Sequence, residues 1–178
     1  MQQAALDLFA SDGFEAVTAT QIAARAGVTE RTFFRHFPDK REVVFDGQHV
    51  LLAALEEGLA QAPPDANELA ALFHAFRSVV PLLEANRPFS EPRQRIIAAN
   101  SALKEREAAK ITVLVEAMAK ALAARSNSDL RARLAAATGI AAFAMVTTAW
   151  LEDGEPNLLT RLVESEEELR SLWSDQRS

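Results

Sequence analysis

The stretch Thr18 to Lys40, TATQIAARAGVTERTFFRHFPDK, constrains the fold more tightly than any other part of the chain. Thr18 with Gln21 three residues on has the form of a capping box, whose side chains satisfy backbone N–H groups left without partners in a first helical turn. A helix is expected to begin there. Ile22, Ala23 and Ala26 recur at helical spacing, and Gly27 follows where a left-handed backbone ends a helix without a side-chain clash. Thr29 suits the cap of a second short helix, Phe33 and Phe37 lie four apart on one face of it, and Pro38 closes it. Asp39 with Glu42 has the form of another capping box, which predicts a third helix running from Asp39 to about Ala60.

The polar residues of the second helix give it a direction. At about 100° per residue, Arg31 and Arg35 point away from Phe33, with Thr32 and Phe34 on the flanks. A short helix held across another, with a basic outward face, is the helix-turn-helix arrangement, whose second helix enters the major groove of double-stranded DNA. Arg31 and Arg35 suit guanine edges or phosphates, while Thr29, Thr32 and Lys40 suit phosphate and methyl contacts. Spacing alone leaves a plainer alternative open, in which short helices joined by glycine belong to any all-α domain and the two arginines are solvated charge.

Charge distribution bears on that choice. The chain of 178 residues carries a net charge of -6, which opposes a nucleic-acid partner if it is spread evenly. It is not spread evenly: between Thr18 and Arg41 stand Arg25, Arg31, Arg35, Lys40 and Arg41 against only Glu30 and Asp39. Screening over about 8 to 10 Å at physiological salt lets such a local patch act apart from an acidic body. Glu30, in the first turn of its helix, suits the positive end of the helix dipole.

The run IAARAGVTERTFFRHFPDKREVV resembles the DNA-binding domain of the tetracycline-repressor (TetR) family of transcription regulators, and ALDLFASDGFEAVTATQIA resembles the segment before it. The resemblance covers roughly residues 1 to 47. It implies DNA contacts from Thr20 on the first helix of the motif, with Thr18 at its cap. On the recognition helix it implies Thr29, Arg31, Thr32, Phe34 and Arg35, and it puts Lys40 at the phosphate-contacting start of the next helix. Phe34 stands where the family commonly has tyrosine, so a hydroxyl that could bond a phosphate is missing. Arg31 stands where the family often has glycine, which adds a charge able to reach bases or backbone.

The family's architecture is all-α: an N-terminal three-helix DNA-binding domain, here residues 1–47, and a larger helical ligand-binding and dimerisation bundle, here 48–178. Helical periodicity agrees, with about nine helices and no strand pattern. Gln61 to Asn67 reads as a loop, Glu68 to Ala85 as a helix kinked at Pro81, and Arg87 to Pro92 as a break before a short helix from Arg93 to Ala99. Helices follow over Ser101–Arg125, from Asn127 or Ser128 to near Gly154, and from Pro156 to about Trp173. Leu134 to Leu151 holds no charge and touches the lower limit for a membrane span, but its alanines, threonines and glycine suit a buried helix better. Leu130, Leu134, Ala141 and Met145, with Leu158, Leu159, Leu162 and Leu169, suit a shared four-helix homodimer core or an intramolecular one.

By the same resemblance Phe73, His74, Phe76, Arg77, Met118, Phe143 and Trp150 lie on helices around an effector pocket, although aromatic residues at helical spacing are as a rule core. His74 and Arg77 share a face and suit either an anionic group or a surface pair. The expected protein is therefore a dimeric regulator, a repressor on a near-palindromic DNA operator, released by an unknown small-molecule effector. The alternative is a helical small-molecule binding or dimerisation protein without DNA affinity.

Enzyme signals are weak. The chain has no cysteine, and His36, His49 and His74 have no ligand spacing, so no metal site is expected. Ser101 and Lys104 form an S-x-x-K pair without its companion motifs, and a serine cap followed by a surface lysine explains it. No glycine-rich phosphate loop is present, and no cofactor is expected. Without a basic and then apolar leader, the expected location is cytoplasmic and the expected partners include no membrane.

Overall fold

Nine α-helices and one 3₁₀ turn form the regular structure of the described residues, 1–174, in a computed structural model, and no strand occurs among them. They are α1 (Gln2–Asp12), α2 (Ala19–Arg25), α3 (Glu30–His36), the 3₁₀ turn Glu42–Phe45, α4 (Gln48–Ala60), α5 (Glu68–Ser78), α6 (Val80–Ala99), α7 (Ser101–Ala123), α8 (Asp129–Asp153) and α9 (Leu158–Ser174). Capping chemistry sets many of these ends. Asn67 Oδ1 accepts from Ala70 N at 2.9 Å, Ser128 Oγ from Arg131 N at 3.3 Å and Asn157 Oδ1 from Thr160 N at 2.9 Å. Gly154 ends α8 in the left-handed region at φ 82°.

Three expectations are corrected. The single helix from Asp39 to Ala60 is instead the short 3₁₀ turn followed by α4. Val43, Val44 and Phe45 are consecutive and all buried, more than one face of an α-helix can hide, and Gly47 at φ 84° turns the chain between the two pieces. Asp39 is not the cap of that turn, which starts from Arg41, but its Oδ1 accepts from Arg41 N at 2.7 Å and Glu42 N at 3.3 Å just ahead of it. The helix expected to run from Glu68 to Ala85 stops at Ser78, and Pro81 lies in the first turn of α6, where no intrahelical N–H is needed. The expected break from Arg87 to Pro92 is absent, and α6 continues through Pro88 and Pro92. These prolines are four apart, so their missing donors and ring clashes fall on one side of the helix while the ladder elsewhere continues.

The chain divides into two compact units, one of Met1–His49 with Pro88–Lys110, the other of Val50–Arg87 with the chain from Ile111 onward. The first unit is built on Phe9, Phe14, Ile22, Phe33, Phe37, Val43, Val44 and Phe45, joined by Ile97 of α6 and Leu103 of α7. In the second, α5 inserts Leu72, Phe73 and Phe76 among Leu55 and Leu59 of α4, Met118 and Leu122 of α7, Ile140 and Phe143 of α8, and Leu158 and Leu162 of α9. Gly139 allows the approach of α5 to α8, since a Cβ there would stand 2.4 Å from Leu72 Cδ2. By length and composition α8 could cross a bilayer, but Ala132, Ala136, Ile140, Phe143 and Trp150 are buried within the unit.

Candidate nucleic-acid interface

The motif helices owe their positions to short-range bonds. Gln21 N donates to Thr18 Oγ1 at 3.2 Å and Thr18 N to Gln21 Oε1 at 2.8 Å, a complete capping box at the start of α2. Gly27, at φ 69°, carries the turn, and Val28 N donates back to Ala23 O at 3.0 Å. Thr29 then caps α3, its Oγ1 accepting from Thr32 N at 3.2 Å and lying 3.0 Å from Thr32 Oγ1. Both hydroxyls therefore serve the helix start as well as facing outward.

One residue anchors α3 and its neighbours project. Phe33 is fully buried and meets Phe37 at 5.4 Å between ring centroids, while Phe34, 47% exposed, stands edge-on to Phe33 at 5.4 Å. Arg31 and Arg35 are exposed and make no ion pair among the described residues, and Thr18, the N-cap of α2, and Thr20 in its first turn are exposed as well. The α3 surface thus offers two neighbouring guanidinium groups with no ion pair among the described residues, flanked by an exposed apolar ring. Lys40 is placed differently from the other candidates, half-buried with its ammonium turned toward backbone carbonyls of the segment before α2.

The sequence reading missed what buttresses this unit from the later chain. Ile97 and Leu103 are fully buried in its core. Arg106 bonds Glu42, and Lys110 Nζ lies 3.1 Å from Glu42 Oε2 and 5.7 Å from the centre of the Phe45 ring. Burial of Glu42 would raise its pKa, but hydrogen bonds from Arg106 and Lys110 outweigh that and hold the carboxyl below its ordinary value. Nothing in residues 88–110 signals this locally, because apolar spacing tells that a face is buried and not against what.

The candidate effector residues lie in the second unit. Phe73, Phe76, Met118, Phe143 and Trp150 are all buried in its core, with Phe76 stacked on Phe143 at 4.4 Å and edge-on to Phe73 at 5.3 Å. His74 is half-buried. Arg77 bonds Glu166, which is only 5% exposed and also holds Arg170. Trp150 carries the Arg87 guanidinium over its ring at 4.9 Å, and that group also donates to Trp150 O at 3.3 Å. An open groove of about 740 Å³ lies along α7 and α8, lined by Val115, Ala119, Lys120, Leu130, Arg133 and Leu134 among others, and none of the seven candidates lines it.

Geometry and fold define an all-helical protein with a helix-turn-helix module and a second helical unit. Residues 3–46 match the family model described as bacterial regulatory proteins, tetR family, and residues 66–173 match that of the MftR C-terminal domain. The chain belongs to the tetR family of bacterial regulatory proteins. It is similar to the HTH-type transcriptional regulator TcmR of Streptomyces glaucescens, 41% identical over 76 residues, a match that covers 43% of this chain and 34% of that relative. Its fold is similar to that of FadR, the fatty acid degradation regulator from Bacillus halodurans, at TM-score 0.63 and 16% identity over 93% of this chain and 94% of that one. It is also similar in fold to Thermus thermophilus FadR, a TetR family transcriptional repressor in complex with lauroyl-CoA, at TM-score 0.58 and 23% identity over 99% and 93% of the two chains.

Proposed function

We propose that this chain is a ligand-responsive transcription regulator that acts as a homodimer, represses from a near-palindromic operator in double-stranded DNA and is released by a small-molecule effector. The observation that carries the reading is the outer face of α3, where Arg31, Phe34 and Arg35 project from a helix anchored by buried Phe33. Thr18, Thr20, Thr29 and Thr32 complete the contact set. Two such helices would occupy successive major grooves about 34 to 36 Å apart. Acting on DNA places the protein in the cytoplasm, and the reading requires no catalytic step.

Dimerisation draws on the exposed apolar stripe of α8. Leu130, Leu134, Ala141 and Met145 recur on one face, and Leu159 and Val163 of α9 are also exposed. Leu158 and Leu162, about 100° round α9 from that pair, are buried within the unit and so are not available to a partner. Met145 is 69% exposed, so Met145→Glu should leave the folded unit intact yet shift the protein to monomer in analytical ultracentrifugation. An unchanged dimer would move the interface elsewhere.

Effector binding at Phe73, His74, Phe76, Arg77, Met118, Phe143 and Trp150 would require the packed aromatic cluster to open, because those rings now fill one another's space. An effector that binds the opened state more tightly lowers DNA affinity tenfold for each ~1.4 kcal/mol of that preference. The test is duplex binding by the full chain, with an operator selected from random sequence, at several salt concentrations. A strong sequence preference with a steep salt slope supports the reading. A shallow slope without preference would leave a helical small-molecule binding or dimerisation protein, which the net charge of -6 favours.

A further inference from the structure

We propose that Lys40 promotes DNA binding as a positioning residue, by fixing the segment in front of α2, and not by touching a phosphate. This rests on the DNA-binding reading above. Its ammonium donates to three backbone carbonyls of one short segment, Phe14 O at 2.8 Å, Glu15 O at 3.3 Å and Val17 O at 3.1 Å. A lysine ammonium has three N–H donors and all three are engaged. The Phe14 ring also lies under the charge, 4.4 Å from Nζ to its centre. A phosphate could recruit this group only by leaving carbonyls unpaired that no helix or strand serves.

The segment so held decides where α2 stands. It begins at Gly13, whose φ of 83° turns the chain out of α1, and ends at Thr18, the N-cap of α2. Phe14 and Val17 are buried in the core of the unit while their carbonyls converge on Lys40. A second tie comes from Asn100, whose Nδ2 donates to Glu15 Oε1 at 3.1 Å while its Oδ1 accepts from Leu103 N at 3.2 Å. Lys40 thus acts on the exposed residues Thr18 and Thr20 through the loop that carries them. The contrast with Arg31 and Arg35 is direct, since those two make no ion pair among the described residues and remain free for an incoming partner.

The test uses the full chain with Lys40→Met, which keeps the stem and loses the donors, and Lys40→Arg, which keeps the charge but replaces a three-pronged ammonium with a planar fork. Affinity for the selected operator and for an unrelated duplex is measured across salt concentrations, and amide hydrogen exchange is followed without DNA. Both variants should lose affinity for the two duplexes by the same factor, about tenfold for Met and less for Arg, with the wild-type salt slope retained. Amides from Gly13 through the first turn of α2 should exchange faster while those of α1 stay slow. A salt slope shallower by about 0.9 in Lys40→Met, full affinity in Lys40→Arg, or unchanged exchange would each overturn the proposal and restore a phosphate contact. Wild-type protein that binds neither duplex would instead remove the DNA-binding reading itself, and this role with it.

Discussion

Phe76→Ala should lower the stability of the protein by about 3–5 kcal/mol, a large part of the ~5–15 kcal/mol that holds a typical domain folded. Phe76 is fully buried, stacks on Phe143 at 4.4 Å with an interplanar angle of 19°, and meets Phe73 edge-on at 5.3 Å. Its removal loses both ring contacts and leaves a void between α5 and α8, where Leu72 already abuts the space left by Gly139. Urea unfolding followed by circular dichroism measures the loss, with Phe76→Leu as the milder companion. A loss below ~1 kcal/mol would mean that this cluster yields easily, and that an effector could enter it at little cost. The same measurement therefore bears on stability and on the proposed effector site.

Arg31→Ala and Arg35→Ala should each cost about 1–3 kcal/mol of discrimination at particular base pairs of the operator, with little change in binding to an unrelated duplex. Both side chains are exposed, neither is held by a carboxylate among the described residues, and Phe34 on their flank is an exposed apolar ring suited to a thymine methyl group. Selection of preferred sequences by wild type and by each variant gives the readout. Uniform weakening across all sequences, together with a shallower salt slope, would assign the arginines to the phosphate backbone and leave specificity to other residues or to DNA shape. The arginine variants should therefore change the preferred sequence, whereas loss of Lys40 should not.

The two candidate regions were unequally legible. At the motif, the caps at Thr18 and Thr29, the turn at Gly27, the anchor Phe33 and the outward Arg31 and Arg35 all follow from residues within one or two helical turns of one another. In the second unit, helical spacing marks Phe73 and Phe76 as core, where they are buried, but says nothing of what they meet. Arg77 shows the limit. Beside His74 it suited an anion site, yet it bonds Glu166, a residue 89 positions away. The prolines of α6 failed in another way, because the local cost of proline, about 3 kcal/mol in a helix interior, was read as decisive and the helix continued regardless.

By itself the sequence determined the all-helical character, the helix-turn-helix and its outward basic face, because capping, glycine turns and helical periodicity involve groups that the covalent chain already holds close together. Only the tertiary structure decided that Ile97 and Leu103 complete the core around that motif and that the Lys40 ammonium is engaged by three carbonyls 23 to 26 residues earlier. Tertiary packing alone also separated the buried Leu158 and Leu162 from the exposed Leu159. Contacts of that kind depend on which faces of distant helices meet, and periodicity specifies a face without naming its partner.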